Sequence, residues 1–180
     1  LTGHLVLSTL HTNSAPETVT RLLDMGMDPF NFGDSLLAAL AQRLVRRICA
    51  KCRVSRDATA EEIDELLRDW LHVFAADARP DKGEVLRGWI GRFGHNGRLQ
   101  HFHAPGCSHC ENTGFRGRAG LHELLVMSRD LRRLIQTGGR VEEMQAVGLA
   151  DGMRTLRQDG IEKVLQGVTT TEEVRATSNA

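Results

Sequence analysis

The chain has 180 residues, with 23 Lys+Arg against 23 Asp+Glu and a formal net charge of zero. That length allows one domain with a sizeable core plus a smaller appendage. Neutral charge and 4% aromatic residues without a tyrosine argue against a general nucleic-acid or acidic-membrane binder. No apolar run approaches the roughly 20 residues needed to cross a bilayer. The opening carries no secretory signal, which predicts the cytoplasm. Leu1 stands where a Met would, and Leu5-Val6-Leu7 reads as a buried strand with almost nothing before it. Such a strand needs neighbours on both sides, so the chain is expected to be cut from something longer.

In chain order, His4 to Leu10 reads as a strand, mostly apolar and ending in small polar residues. Ser14-Ala15-Pro16-Glu17 is a capping-box pattern opening a helix with Val19, Leu22 and Leu23 on one face, which stops at Gly26. A second helix is expected from about Asp34 to Ile48, where Leu36, Leu37, Leu40, Leu44, Val45 and Ile48 fall at helical spacing. Thr59-Ala60-Glu61-Glu62 is another capping box, followed by Ile63, Leu66, Leu67, Trp70, Leu71 and Phe74 along one helical face. From Asp77 to Gly106 the Gly-, His- and Arg-rich composition predicts short strands or loop. A strand near Leu121–Met127 follows the glycines Gly114, Gly117 and Gly120. Helices are then expected over Ser128–Ile135, Val141–Leu149 and Met153–Leu165, with a last piece opened by Thr170-Thr171-Glu172-Glu173.

The four cysteines form two Cys-x-x-Cys pairs, Cys49/Cys52 and Cys107/Cys110, with 54 residues between the pairs. Two residues between thiolates let both face one ion while the turn's N–H groups point at the sulfurs. Two such knuckles close a Cys₄ site with no open position, which predicts a structural Zn²⁺ pinning two distant parts of the chain. Paired disulfides fit poorly with a chain lacking an export signal. A single redox pair leaves the other pair unexplained, and the spacing is not the usual ferredoxin run. With neutral charge and few aromatics the site reads as scaffolding, not nucleic-acid recognition.

Polar side chains just beyond a strand's C-terminal end stand where open α/β sheets bind ligands. The strand ends in Ser8 and Thr9 with His11 just beyond it, and a His there can sense a phosphate through its N–H or relay its presence to a neighbouring element. From the pattern alone, capping of the strand end by His11 and Thr12, with hydrogen bonds to the backbone, is the favoured reading. Thr9-Leu10-His11-Thr12-Asn13-Ser14-Ala15, within a stretch beginning at Thr2, resembles the His box of the type II secretion and type IV pilus assembly ATPases. Ala41-Gln42-Arg43-Leu44-Val45-Arg46-Arg47-Ile48-Cys49 is similar to that family's helix entering the first knuckle. Cys107 to Cys110, followed by Thr113-Gly114-Phe115-Arg116-Gly117-Arg118-Ala119-Gly120-Leu121-His122-Glu123-Leu124, resembles its second knuckle and exit strand. The spacer is longer than the family's usual one, and the helix around Trp70 has no assigned counterpart.

The resemblance implies an α/β fold: the C-terminal portion of a RecA-like P-loop NTPase domain, an inserted Cys₄ zinc subdomain and a C-terminal helical region. The expected divisions are 1–48 for the core with the His box, 49–127 for the zinc subdomain with its insertion at 53–106, and 128–180 for the helical region. It implies a homo-hexameric motor on the cytoplasmic face of the inner membrane, working with membrane-embedded platform proteins. His11 is the expected catalytic residue, and Thr9 and His11 the expected nucleotide contacts. ATP and Mg²⁺ would be held by upstream boxes. No G-x-x-x-x-G-K-[ST] occurs in these 180 residues, so alone they are not expected to turn over ATP. The competing expectation is a zinc-ribbon binding module without catalysis.

Overall fold

The computed structural model describes residues 3–178. Its elements are α1 (Ala15–Asp24), α2 (Pro29–Ser35), β1 (Ala38–Ile48), β2 (Val54–Asp57), α3 (Ala60–Leu71), α4 (Lys82–Phe93), β3 (Gln100–His103), β4 (Phe115–Val126), α5 (Arg129–Gln136), α6 (Val141–Ala150), α7 (Leu156–Leu165) and α8 (Thr171–Thr177). The fold is mixed α/β, with β1 paired to β4 and β2 paired to β3 in separate two-stranded sheets. Among the described residues no helix is long and apolar enough to cross a membrane. Two compact units share the chain: Leu1–Gln42 with His122–Thr155, and Arg43–Leu121 with Leu156–Ala180.

In the first unit α1 packs on α6, α2 on α5, and α5 on α6. Helix α1 starts where its cap dictates, because the Ser14 hydroxyl accepts from Glu17 N at 3.3 Å. Its apolar face buries Ala15, Pro16 and Val19. Leu131, Ile135 and Met144, all fully buried, supply the facing sides of α5 and α6.

The stretch Leu5–Leu7 is not a strand here. Leu5, Val6 and Leu7 are 74%, 78% and 90% exposed, and His4–Leu10 pairs with no strand among the described residues. Without a paired strand among the described residues, this apolar run stays irregular. Thr2, which opens the matched stretch, lies outside the described residues.

The expected helix over Asp34–Ile48 is also corrected. A short α2 ends at Ser35 and the chain continues as strand β1, including the part of Ala41–Cys49 taken for a helix. The leucines suggested a helical face, yet Leu40 and Leu44 are 59% and 50% exposed while Ala39, Ala41, Val45 and Ile48 are buried. The burial alternates as a strand requires, and its small inward alanines hid that period from a reading of large residues.

The second unit is built around residues 53–106. Thr59 and Glu62 close a capping box on α3, with Glu62 N to Thr59 Oγ1 at 3.3 Å and Thr59 N to Glu62 Oε2 at 2.9 Å. The region expected as loop contains α4, capped by Asp81, whose carboxylate accepts from Glu84 N at 2.9 Å. Gly83, Gly88 and Gly91 weaken its helix propensity, but Trp89 anchors it. Strands β2 and β3 run antiparallel, from Val54 opposite His103 to Asp57 opposite Gln100.

The insertion's apolar face is consumed internally. Leu66, Leu67, Trp70 and Leu71 from α3, with Trp89 and Leu99, share one core with Ile161 and Leu165 of α7. Arg92 of α4 makes a bidentate pair with Glu162, at 2.8 and 3.0 Å. Asp69 accepts from Arg175 at 2.8 Å and from Arg157 at 3.3 Å. Trp70 and Trp89 meet edge to face, centroids 5.4 Å apart and planes at 86°. Trp89→Ala is expected to cost about 3–5 kcal/mol by cavity formation. Urea unfolding of the intact protein, followed by the emission of the remaining tryptophan, checks this; a loss below 1 kcal/mol, far under the ~3–5 kcal/mol range, would sink it.

Glu62 also faces a pH test. The Arg56 guanidinium, donating to Glu62 Oε2 at 2.9 Å, outweighs burial and holds the carboxyl down to about 2 from its usual 4.5. A depressed carboxyl contributes stability that is full above about 4.5 and is lost as pH falls toward about 2. The two side chains are 47% and 27% exposed, so solvent screening keeps the contribution to at most about 1 kcal/mol. Glu62→Gln keeps the capping box and is expected to flatten the acid limb of stability across that window. An unchanged limb would show that the pair contributes nothing.

Candidate metal centre

The first knuckle begins where β1 ends. Ile48 N donates to Val168 O and Cys49 N to Gly114 O, both at 2.9 Å, and Arg53 N returns to Cys49 O at 2.9 Å to close the turn. The second knuckle is a single 3₁₀ turn, Ser108–Cys110. Asn112 N and Cys110 N both donate to Cys107 O, at 2.9 and 3.1 Å, so the chain reverses within five residues. The reversal requires left-handed backbone at Glu111, Asn112 and Gly114, with φ of 54°, 59° and 76°. A Cβ on Gly106 would lie 2.6 Å from Asn112 O, and one on Gly114 would lie 2.6 Å from Ala104 O. Only hydrogen fits at either place. Arg116 donates to the carbonyl of His109, so it braces the turn.

These two turns bring Cys49, Cys52, Cys107 and Cys110 together, their sulfurs all within 4.8 Å of one another. Cys49 lies 3.9 Å from Cys107, while Cys110 lies 3.8 Å from both Cys52 and Cys107. A tetrahedron of sulfurs around one ion at about 2.3 Å has edges of about 3.8 Å. A disulfide needs about 2.05 Å, and all four cysteines are free. The group therefore could hold a metal ion, and its donor set and spacing fit one.

The local dipoles favour thiolate at the inner end. Burial opposes ionisation of Cys110, but N–H groups of Cys107 and Gly114 outweigh it and bring the thiol down to about 6. The Cys107 N–H lies 3.2 Å from Cys110 Sγ. Burial, with the hydrogen bond shared with Cys107, pushes the Cys52 thiol up to about 12. A bound cation would favour the thiolate form of all four cysteines.

His11 and Thr9 are exposed and stand ahead of α1 in the first unit, whereas the cysteines belong to the second. One residue escaped the sequence reading. Glu123 is only 3% exposed, on the inward face of β4 between Leu121 and Leu125, and its carboxylate accepts from Ala15 N at 2.7 Å. The period-two pattern of Leu121, Glu123 and Leu125 was the available signal.

These features define a mixed α/β protein with a four-thiol cluster, able to hold a metal ion, where two turns meet. The family model described as "Type II/IV secretion system protein" matches residues 1–176, and the chain belongs to that family. It is 44% identical over 177 residues to the type II secretion system protein E of Dickeya dadantii, covering 97% of this chain and 29% of that protein. It is 40% identical over 177 residues to the type IV pilus assembly ATPase PilB of Thermus thermophilus, covering 98% and 17%. It is 39% identical over 181 residues to the type II secretion system protein HxcR of Pseudomonas aeruginosa, covering 100% and 30%. The chain thus spans less than a third of the length of these relatives.

Proposed function

We propose that these residues are the C-terminal portion of a RecA-like, hexameric ATP-hydrolysing motor that powers type II protein secretion or type IV pilus assembly. The observation that carries this reading is the match along nearly the whole chain to relatives named for both machines. In this reading residues 1–48 belong to the motor core, 49–127 to the metal subdomain and 128–180 to the helical region. ATP and Mg²⁺ are held by residues outside this chain, so the 180 residues alone do not hydrolyse ATP. The motor works on the cytoplasmic face of the inner membrane through platform proteins, without nucleic acid.

The metal is Zn²⁺. Four soft thiolates at tetrahedral spacing, with no position left for water, suit a structural zinc better than a hard cation or a catalytic site. Bound there, zinc would supply a closed cross-link and no open coordination position. His11 is the catalytic residue of this portion and Thr9 its companion: His11 senses the terminal phosphate through an imidazole N–H, with the Thr9 hydroxyl as a second donor beside it.

The test is to express the complete reading frame that contains these residues. Hexameric mass, Mg²⁺-dependent phosphate release and one zinc per chain are the expected results. A monomer that binds zinc but neither binds nor hydrolyses ATP would replace the motor with a zinc-ribbon binding module.

A further inference from the structure

Burying a carboxyl group costs free energy unless hydrogen bonds replace its water. Glu123 is buried on the inward face of β4 between the buried Leu121 and Leu125, so a glutamate there calls for a reason beyond packing. Its Oε1 accepts from the backbone N–H of Ala15, the first residue of α1, at 2.7 Å, and Ala15 is itself wholly buried. That N–H is one of the helix's orphan donors, at the positive end of its dipole.

From this anchor a continuous set of hydrogen bonds runs back toward His11. Glu17 N donates to Ser14 Oγ at 3.3 Å, and Asn13 N donates to Glu17 Oε2 at 3.0 Å. Thr18 Oγ1 donates to Ser14 O at 3.1 Å, and the Thr12 and Thr18 hydroxyls lie 2.7 Å apart. Residues 12 to 18 are thereby knit into one piece, and the Glu123 carboxylate ties that piece to β4. His11 is attached to its edge.

We infer that Glu123 is a positioning residue: by holding the start of α1 against β4, its carboxylate fixes where His11 stands. The inference rests on the proposed role of His11 in ATP hydrolysis. It requires Glu123 to act through His11, not on nucleotide directly, and a double-mutant cycle measures that dependence.

The experiment uses the complete protein with Glu123→Gln, His11→Ala and the double variant. Glu123→Asp, which keeps the carboxyl but withdraws it by one methylene, is a second probe carried through the same cycle. For each we would measure kcat and KM for ATP, zinc content and melting temperature. Glu123→Gln is expected to lower kcat about tenfold, the effect of weakening one hydrogen bond to a charged group. KM should stay within about threefold and zinc content should not change. In the His11→Ala background the same substitution should produce no further fall. Equal losses in both backgrounds, or no loss in either, would overturn the positioning role while leaving His11 in place. Normal turnover by His11→Ala alone would overturn both the role of His11 and this inference.

Discussion

Cys107→Ser in the complete protein is expected to release the metal and to unfold the turns around it. Apparent binding free energies of closed thiolate zinc sites reach about 10–16 kcal/mol at neutral pH, comparable with or above the total stability of an ordinary domain, about 5–15 kcal/mol. Serine matches the thiol in shape but is a poor ligand, so the substitution isolates the metal's contribution from packing. Partly exposed Cys107 is the suitable position, because neighbouring Cys110 is buried and its loss would disturb the core as well. Chelation of the unmodified protein should give the same outcome. The checks are metal content by mass spectrometry and hydrogen exchange at the amides of Cys49, Asn112 and Thr113, whose bonds close the turns. A Cys107→Ser protein with a full metal complement and unchanged exchange would sink the metal-centre reading.

The second large effect is expected from His11→Ala. Removing a donor that meets developing charge on a transferred phosphoryl group costs about 10²–10³ in turnover. His11 is exposed, so its removal leaves no cavity. On the proposed role, folding and metal content should be untouched while steady-state phosphate release by the complete protein falls at least about a hundredfold. Turnover within twofold of the parent would return His11 to the humbler role of a residue before a helix cap.

What could be read from the sequence depended on how local its cause was. The cap of α1 at Ser14 and the capping box of α3 at Thr59 and Glu62 lie where adjacent side chains dictate them. The convergence of the four thiols was legible because two-residue spacing is itself a ligand geometry. Strand β1 was not legible: its inward positions Ala39 and Ala41 carry so little apolar weight that the outward Leu40 and Leu44 dominated the pattern. Helix α4 was obscured by its glycines, although Val85, Leu86, Trp89, Ile90 and Phe93 were already spaced to meet α3 and α7. The Glu123 contact is non-local, since its partner Ala15 lies 108 residues away.

The sharing of one core between the insertion and α7 has a consequence during synthesis. The carbonyl of Trp70 accepts from Gln158 of α7, 88 residues further along the chain. Ribosomes add about 5–20 residues per second, so α3 waits roughly four to eighteen seconds after its own emergence before its covering helix exists. Until then Leu66, Leu67, Trp70 and Trp89 can pack only within the insertion, without Ile161 and Leu165 of α7. The nascent chain is therefore at its stickiest between the synthesis of α3 and that of α7, and slow codons between α4 and α7 would lengthen its exposure to chaperones and to neighbouring nascent chains alike.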